Sequence, residues 1–370
     1  MKIAIFDSVD KLPPACLDLM NKAGKTCFFS GPDWYRCLER HGLAPAQRPR
    51  FYVALAADDT PLALLPMIED TGGSWAKPRV LKSFSNFYTM DFAPVLGGVQ
   101  DEAALAFLAR SLLAERPAFD VIDIRMLTEG TATADDLQAA FARTGAASDR
   151  FFMFDNWIHP VAGQSSADYY NDRPSRLKNT IRRKRKKFEE AHALSTLVVS
   201  DGDDLDKAIA DYQLIYAKSW KEDESFPDFI PALMRASARA GVLRLGVIYA
   251  DGTPAAAQLW MIYSGTAMIY KLAYDEDYSA LSAGSILSKH MMDQAIDVDK
   301  VEILDYGVGN DAYKRDWMTI RRQKCGILVF NKTLRGLAAA GRHFMGRKIR
   351  RLLGDGKAVV ADTEMVATAE

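Results

Sequence analysis

The chain has 370 residues, 49% of them hydrophobic and 26% charged, with a net charge of −1 at neutral pH. That length exceeds the usual single domain, and the composition is that of a globular protein with apolar material for two cores. The near-zero charge excludes a molecule built as a whole for a polyanion, although its charge is unevenly placed.

The four cysteines (Cys16, Cys27, Cys37, Cys325) form no C-x-x-C pair and no zinc-finger spacing with histidine, so they read as free thiols in a reducing compartment. The run Met1–Phe6 is too short for a secretory signal, and no segment approaches the roughly 18 apolar residues of a membrane span. The expectation is a soluble, bacterial-type cytoplasmic protein.

In chain order, Phe51–Ile68 reads as strand, acidic turn, strand. The aromatic-rich Ser83–Phe92 either lines a ligand cleft or serves as core and strand edge. A helix over Asp101–Glu115 leads to a short buried strand, Val121–Arg125. Near residue 165 a helical region begins, with helices over Tyr169–Ala193, Asp203–Trp220 and Pro231–Ala240. Inside the first of these, Arg173–Lys187 holds nine Lys/Arg and no acid. Such a run suits a phosphate-rich partner, and its alternative is a solvated helix face.

Leu243–Ile262 repeats the plan of the first hairpin around Asp251-Gly252, and both hairpins share Ala-Asp-x-Thr-Pro. A strand over Ala267–Tyr274 follows. The small residues of Tyr278–Leu287 then open a helix over Ser282–Ile296. Free N–H groups at such a helix start, with the positive end of the helix dipole behind them, suit a pyrophosphate; the alternative is an ordinary cap by Ser282.

Val301–Asp305 is the next strand. The spacing predicts Asp305 at its end, Gly307 and Gly309 opening the backbone, Asn310 or Asp311 capping a helix, and Lys314 one turn into it. Gln323–Phe330 is a further strand. Lys332–Leu353 has seven Lys/Arg, no acid and apolar residues near helical spacing. This reads as a helix for an anionic membrane surface or a partner, or as one packed on its own domain. The tail from Asp355 is small and polar.

Ser175-Arg176-Leu177-Lys178 matches S-x-x-K but lacks the boxes that accompany a serine acylase, and no H-E-x-x-H or G-x-S-x-G exists. Ser-triad hydrolysis is thereby disfavoured, and no metal is expected. Two similar α/β units in tandem with a basic helical segment between them is the fold class these elements predict. The expected boundaries are 1–165, 166–335 and a basic amphipathic helix and tail over 336–370.

This order of elements resembles the GNAT acyltransferase fold. The two copies, the basic segment and the Asp305–Trp317 stretch together resemble its FemAB-like branch, and within it the CelD-type acetyltransferases associated with cell-surface polysaccharide. The resemblance covers roughly residues 25–335. It implies that Ser282, Ala283, Gly284 and Ser285 face the pyrophosphate of an acyl-CoA, with Arg176 joining the donor-binding set. The loop departs from the usual Q/R-x-x-G-x-G/A pattern, keeping only Gly284. FemAB proteins proper take aminoacyl-tRNA; the missing coiled-coil insertion favours acyl-CoA, acetyl-CoA first.

On that resemblance Asp305 is the base, Lys314 orients the acceptor or neutralises charge, and Tyr313 or Tyr270 protonates the departing thiolate. A thioester is already activated, so no covalent nucleophile is needed, and Cys325 in an apolar strand is a poor one. The implied acceptor is an amine or hydroxyl of an envelope or exopolysaccharide precursor. Peripheral membrane contact through Lys332–Arg351, an aminoacyl-tRNA-dependent ligase and a non-catalytic regulator of polysaccharide secretion stand beside it.

Overall fold

The computed structural model describes residues 1–71 and 77–352; the polar tail expected from Asp355 lies outside them. Contacts group the described residues into two compact units, Met1–Phe154 with residues 323–352, and Asp155–Arg322.

The first unit runs β1 (Lys2–Phe6), α1 (Pro14–Thr26), α2 (Pro32–His41), β2 (Gln47–Leu55), β3 (Pro61–Asp70), β4 (Val80–Ser83), β5 (Val95–Leu96), α3 (Asp101–Ala114), β6 (Val121–Thr128) and α4 (Ala132–Ala142). β7 (Ala147–Pro160) carries the chain into the second unit. β1 through β4 are antiparallel neighbours, whereas β4 and β6 run parallel across the α3 crossover. β3 is buried along nearly its whole length, which is why Leu62-Ala63-Leu64-Leu65 reads as a continuous apolar run without alternation. Phe84, Tyr88 and Phe92 are buried, and Phe84 meets the rings of Tyr35 and Phe51 at 5.4 and 5.9 Å. These aromatics of the Ser83–Phe92 stretch are core, the second of its two readings.

The second unit runs α5 (Ser166–Asn171), α6 (Ser175–Ala191), β8 (Leu194–Val199), α7 (Leu205–Ala217), α8 (Phe229–Arg239), β9 (Leu243–Ala250), β10 (Thr253–Tyr263), β11 (Thr266–Tyr274), α9 (Ala283–Asp293), β12 (Ile303–Val308) and α10 (Lys314–Trp317). β13 (Ile320–Phe330) returns the chain to the first unit, where α11 (Leu334–Leu352) follows. Within the second unit the strand order is β8-β9-β10-β11-β12, closed by the end of β7. The β9–β10 turn places Asp251 at φ 50° and Gly252 at φ 80°, the left-handed pair that a tight hairpin requires.

Both units thus follow one plan: an antiparallel hairpin, a third strand, a helix, and a strand parallel to the third. The mixed α/β class expected from the sequence is the observed one. Each parallel contact spans three residue pairs, Val80–Lys82 with Val121–Asp123 and Thr266–Met268 with Ile303–Asp305. The sequence reading divided the units near residue 165 and ran the second to 335. The contacts divide them at Asp155 and place β13 from Gln323 onward with β6, because Lys324–Phe330 pairs antiparallel with Val121–Thr128.

α9 rests on its sheet through Ile286, Leu287, Met291 and Met292, all buried. A Cβ on Gly246 of β9 would lie 2.5 Å from Met291 Sδ, so glycine sets how closely this helix approaches. Placing α9 places everything at its N-terminus.

Candidate active site

β11 and β12 pair only over their first residues, yet β11 continues to Tyr274 and β12 to Val308. The β10–β11 register slips here: Leu259 faces Lys271 and Trp260 faces Ile269, leaving Tyr270 as an extra residue. A bulge of this kind bends a strand. Beyond it β11 stays with β10 and no longer pairs with β12, so the two parallel strands part toward their C-terminal ends. In open α/β sheets that is where ligands bind.

One flank of this parting is the start of α9. A short helical turn over Glu276–Leu281 delivers the chain to Ser282, which takes the left-handed conformation at φ 56°. Ser282 occupies the cap position, but its side chain caps nothing; its carbonyl instead accepts from the N–H groups of Ser285 and Ile286. The ordinary-cap reading of Ser282 is therefore not what the structure has. Ala283 is buried, while Ser282, Gly284 and Ser285 are half-buried.

Behind this turn, Gln258 (1% exposed) donates to the Gly284 carbonyl at 2.9 Å and to Ser288 Oγ at 2.8 Å, and accepts from Trp260 Nε1 at 2.9 Å. Every polar group of that buried side chain is matched, as burial requires. The result is a rigid seat for the first turn of α9. A Cβ on Gly284 would meet the Tyr274 ring at 3.5 Å, so a methyl fits and anything larger presses on Tyr274.

α6 runs beside the same turn: Lys184 Nζ donates to the Ala280 carbonyl at 2.5 Å, and Phe188 stacks with Tyr278. The basic run is thus divided in use. Arg173 is buried, donating to the carbonyls of Tyr169 and Trp317 at 3.1 and 2.9 Å, while Arg176 is exposed and bidentate to Asp316. Arg182, Arg183, Arg185, Lys186 and Lys187 are exposed, the last two turns partly balanced by Arg185–Glu189 and Lys186–Glu190 pairs.

The other flank is β12 and the loop after it. Asp305 lies within the strand rather than at its end, and it is 2% exposed. Its carboxylate accepts from Asn156 Nδ2 at 2.7 Å, from the Gly307 N–H at 2.9 Å, and from Arg322 in an ion pair. Those partners are what permit a charge inside a strand. Neither Asn310 nor Asp311 caps α10 through its side chain; the cap position is Tyr313, and Asn310 Oδ1 accepts from Trp157 Nε1 at 3.1 Å. Lys314 begins α10 and is buried, donating to the Val308 carbonyl and pairing with Asp311 at 3.0 Å. Burial holds its pKa below the usual lysine value, against the opposing pull of Asp311 and Asp305. Tyr313 is 46% exposed and meets the Tyr306 ring edge-on at 5.5 Å.

Two further lysines gather here. Lys271 of β11 pairs with Glu224 at 2.7 Å. Lys221 lies with its Nζ 5.7 Å from the Trp220 ring, which in turn packs 4.4 Å from Tyr274. Burial, then the charges of Lys271 and Lys314, push the Lys221 pKa down to about 8; Glu224 and Asp311 resist the shift. A lysine with its pKa lowered to about 8, at the end of parting strands, is equipped to move a proton. Sequence reasoning selected Asp305, Lys314 and Tyr313 but missed Lys221, Lys271 and Glu224. The charge-dense Lys218–Glu224 stretch was the available signal.

Cys325 is buried, with its thiol pushed up to about 12 by burial, which suits the expectation of a poor nucleophile.

A family model described as an acetyltransferase (GNAT) domain matches residues 175–315, from the start of α6 into α10. No curated protein matches the sequence. Among solved structures, FemX aligns over 95% of this chain and 100% of its own, at 10% identity and TM-score 0.60. A C-terminal domain (DUF2156) of a protein assigned as a lysylphosphatidylglycerol synthetase, from Agrobacterium fabrum, aligns over 88% of this chain and 94% of its own, at 13% identity and TM-score 0.54. A conserved protein of unknown function from Bacteroides thetaiotaomicron aligns over 89% and 100%, at 12% identity and TM-score 0.55. At such identities the shared feature is the fold; residues 175–315 are similar to a GNAT acetyltransferase domain and share the GNAT-like mixed α/β plan.

Proposed function

We propose that this protein transfers an acyl group, acetyl in the first instance, from acyl-CoA to an amine or hydroxyl of a cell-envelope or exopolysaccharide precursor. The observation that carries this reading is the parting of β11 and β12, with the uncapped start of α9 on one flank, β12 and the loop after it on the other, and Lys221 against Trp220 near the end of β11. The GNAT-like domain supplies the reaction class. The envelope acceptor and the CelD-type branch rest on the sequence resemblance, and the fold likeness to FemX and to the lysylphosphatidylglycerol synthetase domain is consistent with them.

In this reading the N–H groups of Ala283 and Gly284 face the donor pyrophosphate, with Ser282 and Ser285 beside them. Lys221 is the base. With a pKa near 8, about a tenth of it is neutral at pH 7 and able to accept the acceptor's proton as its nitrogen or oxygen bonds to the thioester carbon. Tyr313, with Tyr270 as the alternative, returns a proton to the departing sulfur. Lys314 holds the Val308–Asp311 loop and contributes positive charge near the developing oxyanion. Asp305, its oxygens already engaged, serves better as the anchor of that loop than as the base.

The test of the donor is a calorimetric titration comparing acetyl-CoA, a long-chain acyl-CoA and aminoacylated tRNA. Binding of acetyl-CoA, weakened in Gly284→Val, supports the proposal; binding of tRNA alone overturns it. The tRNA reading has one observation behind it, the exposed cations of α6, and would show affinity falling steeply with salt.

A further inference from the structure

α11, in the first unit, presents two different faces. Its inner face is packed: Gly336 sits against the Asp120 and Asn331 carbonyls, Ala340 is 8% exposed, and His343 and Arg347 both pair with Asp149. Its outer face is apolar and open. Leu334 is 89% exposed, Leu337 55%, Met345 63% and Ile349 56%. At 3.6 residues per turn these four and Gly341 fall within roughly a 120° sector. A Cβ on Gly341 would meet nothing within 4 Å, so this stripe has no cover among the described residues.

The charge around the stripe says what covers it. Arg335, Arg342 and Lys348 are exposed along or beside it, and among the described residues none of them forms an ion pair. No acid occurs from Lys332 through Leu353. Two copies of this face brought together would set cations against cations, which disfavours self-association. A cationic apolar stripe on a helix fixed along its other side is the form that lies in a lipid headgroup layer. Among the described residues no helix is long and apolar enough to cross a membrane, so the contact would be superficial.

We infer that the outer face of α11 docks the first unit on a bilayer bearing anionic headgroups. Leu334, Leu337, Met345 and Ile349 enter the headgroup boundary, and Arg335, Arg342 and Lys348 contact lipid phosphates. The inference does not depend on the acyltransferase reading.

The test is sedimentation of the full chain with vesicles of phosphatidylcholine alone and of phosphatidylcholine with one-third phosphatidylglycerol, alongside light scattering without lipid. The protein is expected to sediment with the anionic vesicles at low salt and far less with the zwitterionic ones. Each of Arg335→Gln, Arg342→Gln and Lys348→Gln should lower partitioning about fivefold. The double variant Leu337→Gln/Met345→Gln should lower it by tenfold or more while melting at the wild-type temperature, because both side chains are exposed. Failure to sediment with anionic vesicles overturns the inference, as does undiminished binding by the double variant. A dimer that the double variant dissolves would assign the stripe to a second copy instead.

Discussion

Lys221 lies in a charge-dense stretch of the sequence, but its chemistry comes from what folding brings to it. With its pKa near 8, it releases its proton as pH rises through that value. If Lys221 is the base, kcat/KM with a saturating donor climbs about tenfold per pH unit below 8 and levels above it. Lys221→Met removes that limb and lowers turnover about 10²–10⁴-fold; an unchanged limb assigns the proton to another group. Asp305 is separable from it. Arg322→Ala leaves a buried carboxylate without its counter-charge and is expected to cost about 3 kcal/mol by urea unfolding. Asp305→Asn should likewise lower stability while keeping the pH limb. Abolished turnover with full stability would return the base role to Asp305. Asp305 and Lys314 were legible because the apolar run Val301–Leu304 precedes them in the sequence. Lys221 was not, because the burial that lowers its pKa, and the charges of Lys271, Lys314 and Asp311 that modulate it, arise only on folding.

At the scale of elements, α9 is the part on which donor binding depends in the proposed reading, and two glycines test it differently. Gly246→Ala drives a methyl into Met291 under the helix and is expected to cost about 1–3 kcal/mol in stability. Gly284→Val leaves the core alone and presses on Tyr274, so acyl-CoA affinity should fall on the order of tenfold at unchanged melting temperature. A variant at 284 that binds normally would remove the helix start from the donor site. The hairpins, α3 and the run of α9 were legible because period and turn residues are local. The strand position of Asp305 was not: burial of its charge depends on Asn156 and Arg322, and no local pattern announces that pairing. β8 was likewise missed, since it is short and mostly half-buried.

At the scale of the molecule, donor binding must stabilise the fold that forms the site. Acetyl-CoA at a hundred times its dissociation constant should add about 2.7 kcal/mol to unfolding of the second unit, and at the same concentration the gain should fall to about 1.4 kcal/mol in Gly284→Val. The sequence by itself determined two similar α/β plans, their turns, the two basic helices and the small-residue start of α9, because each is written in neighbouring residues. Only the tertiary structure decided that β13 pairs with β6, that β11 and β12 part after three residue pairs, that α11 leaves its apolar face open, and that burial lowers the Lys221 pKa. Those depend on strand registers, burial and charges contributed by distant segments, which take effect only once the chain has folded.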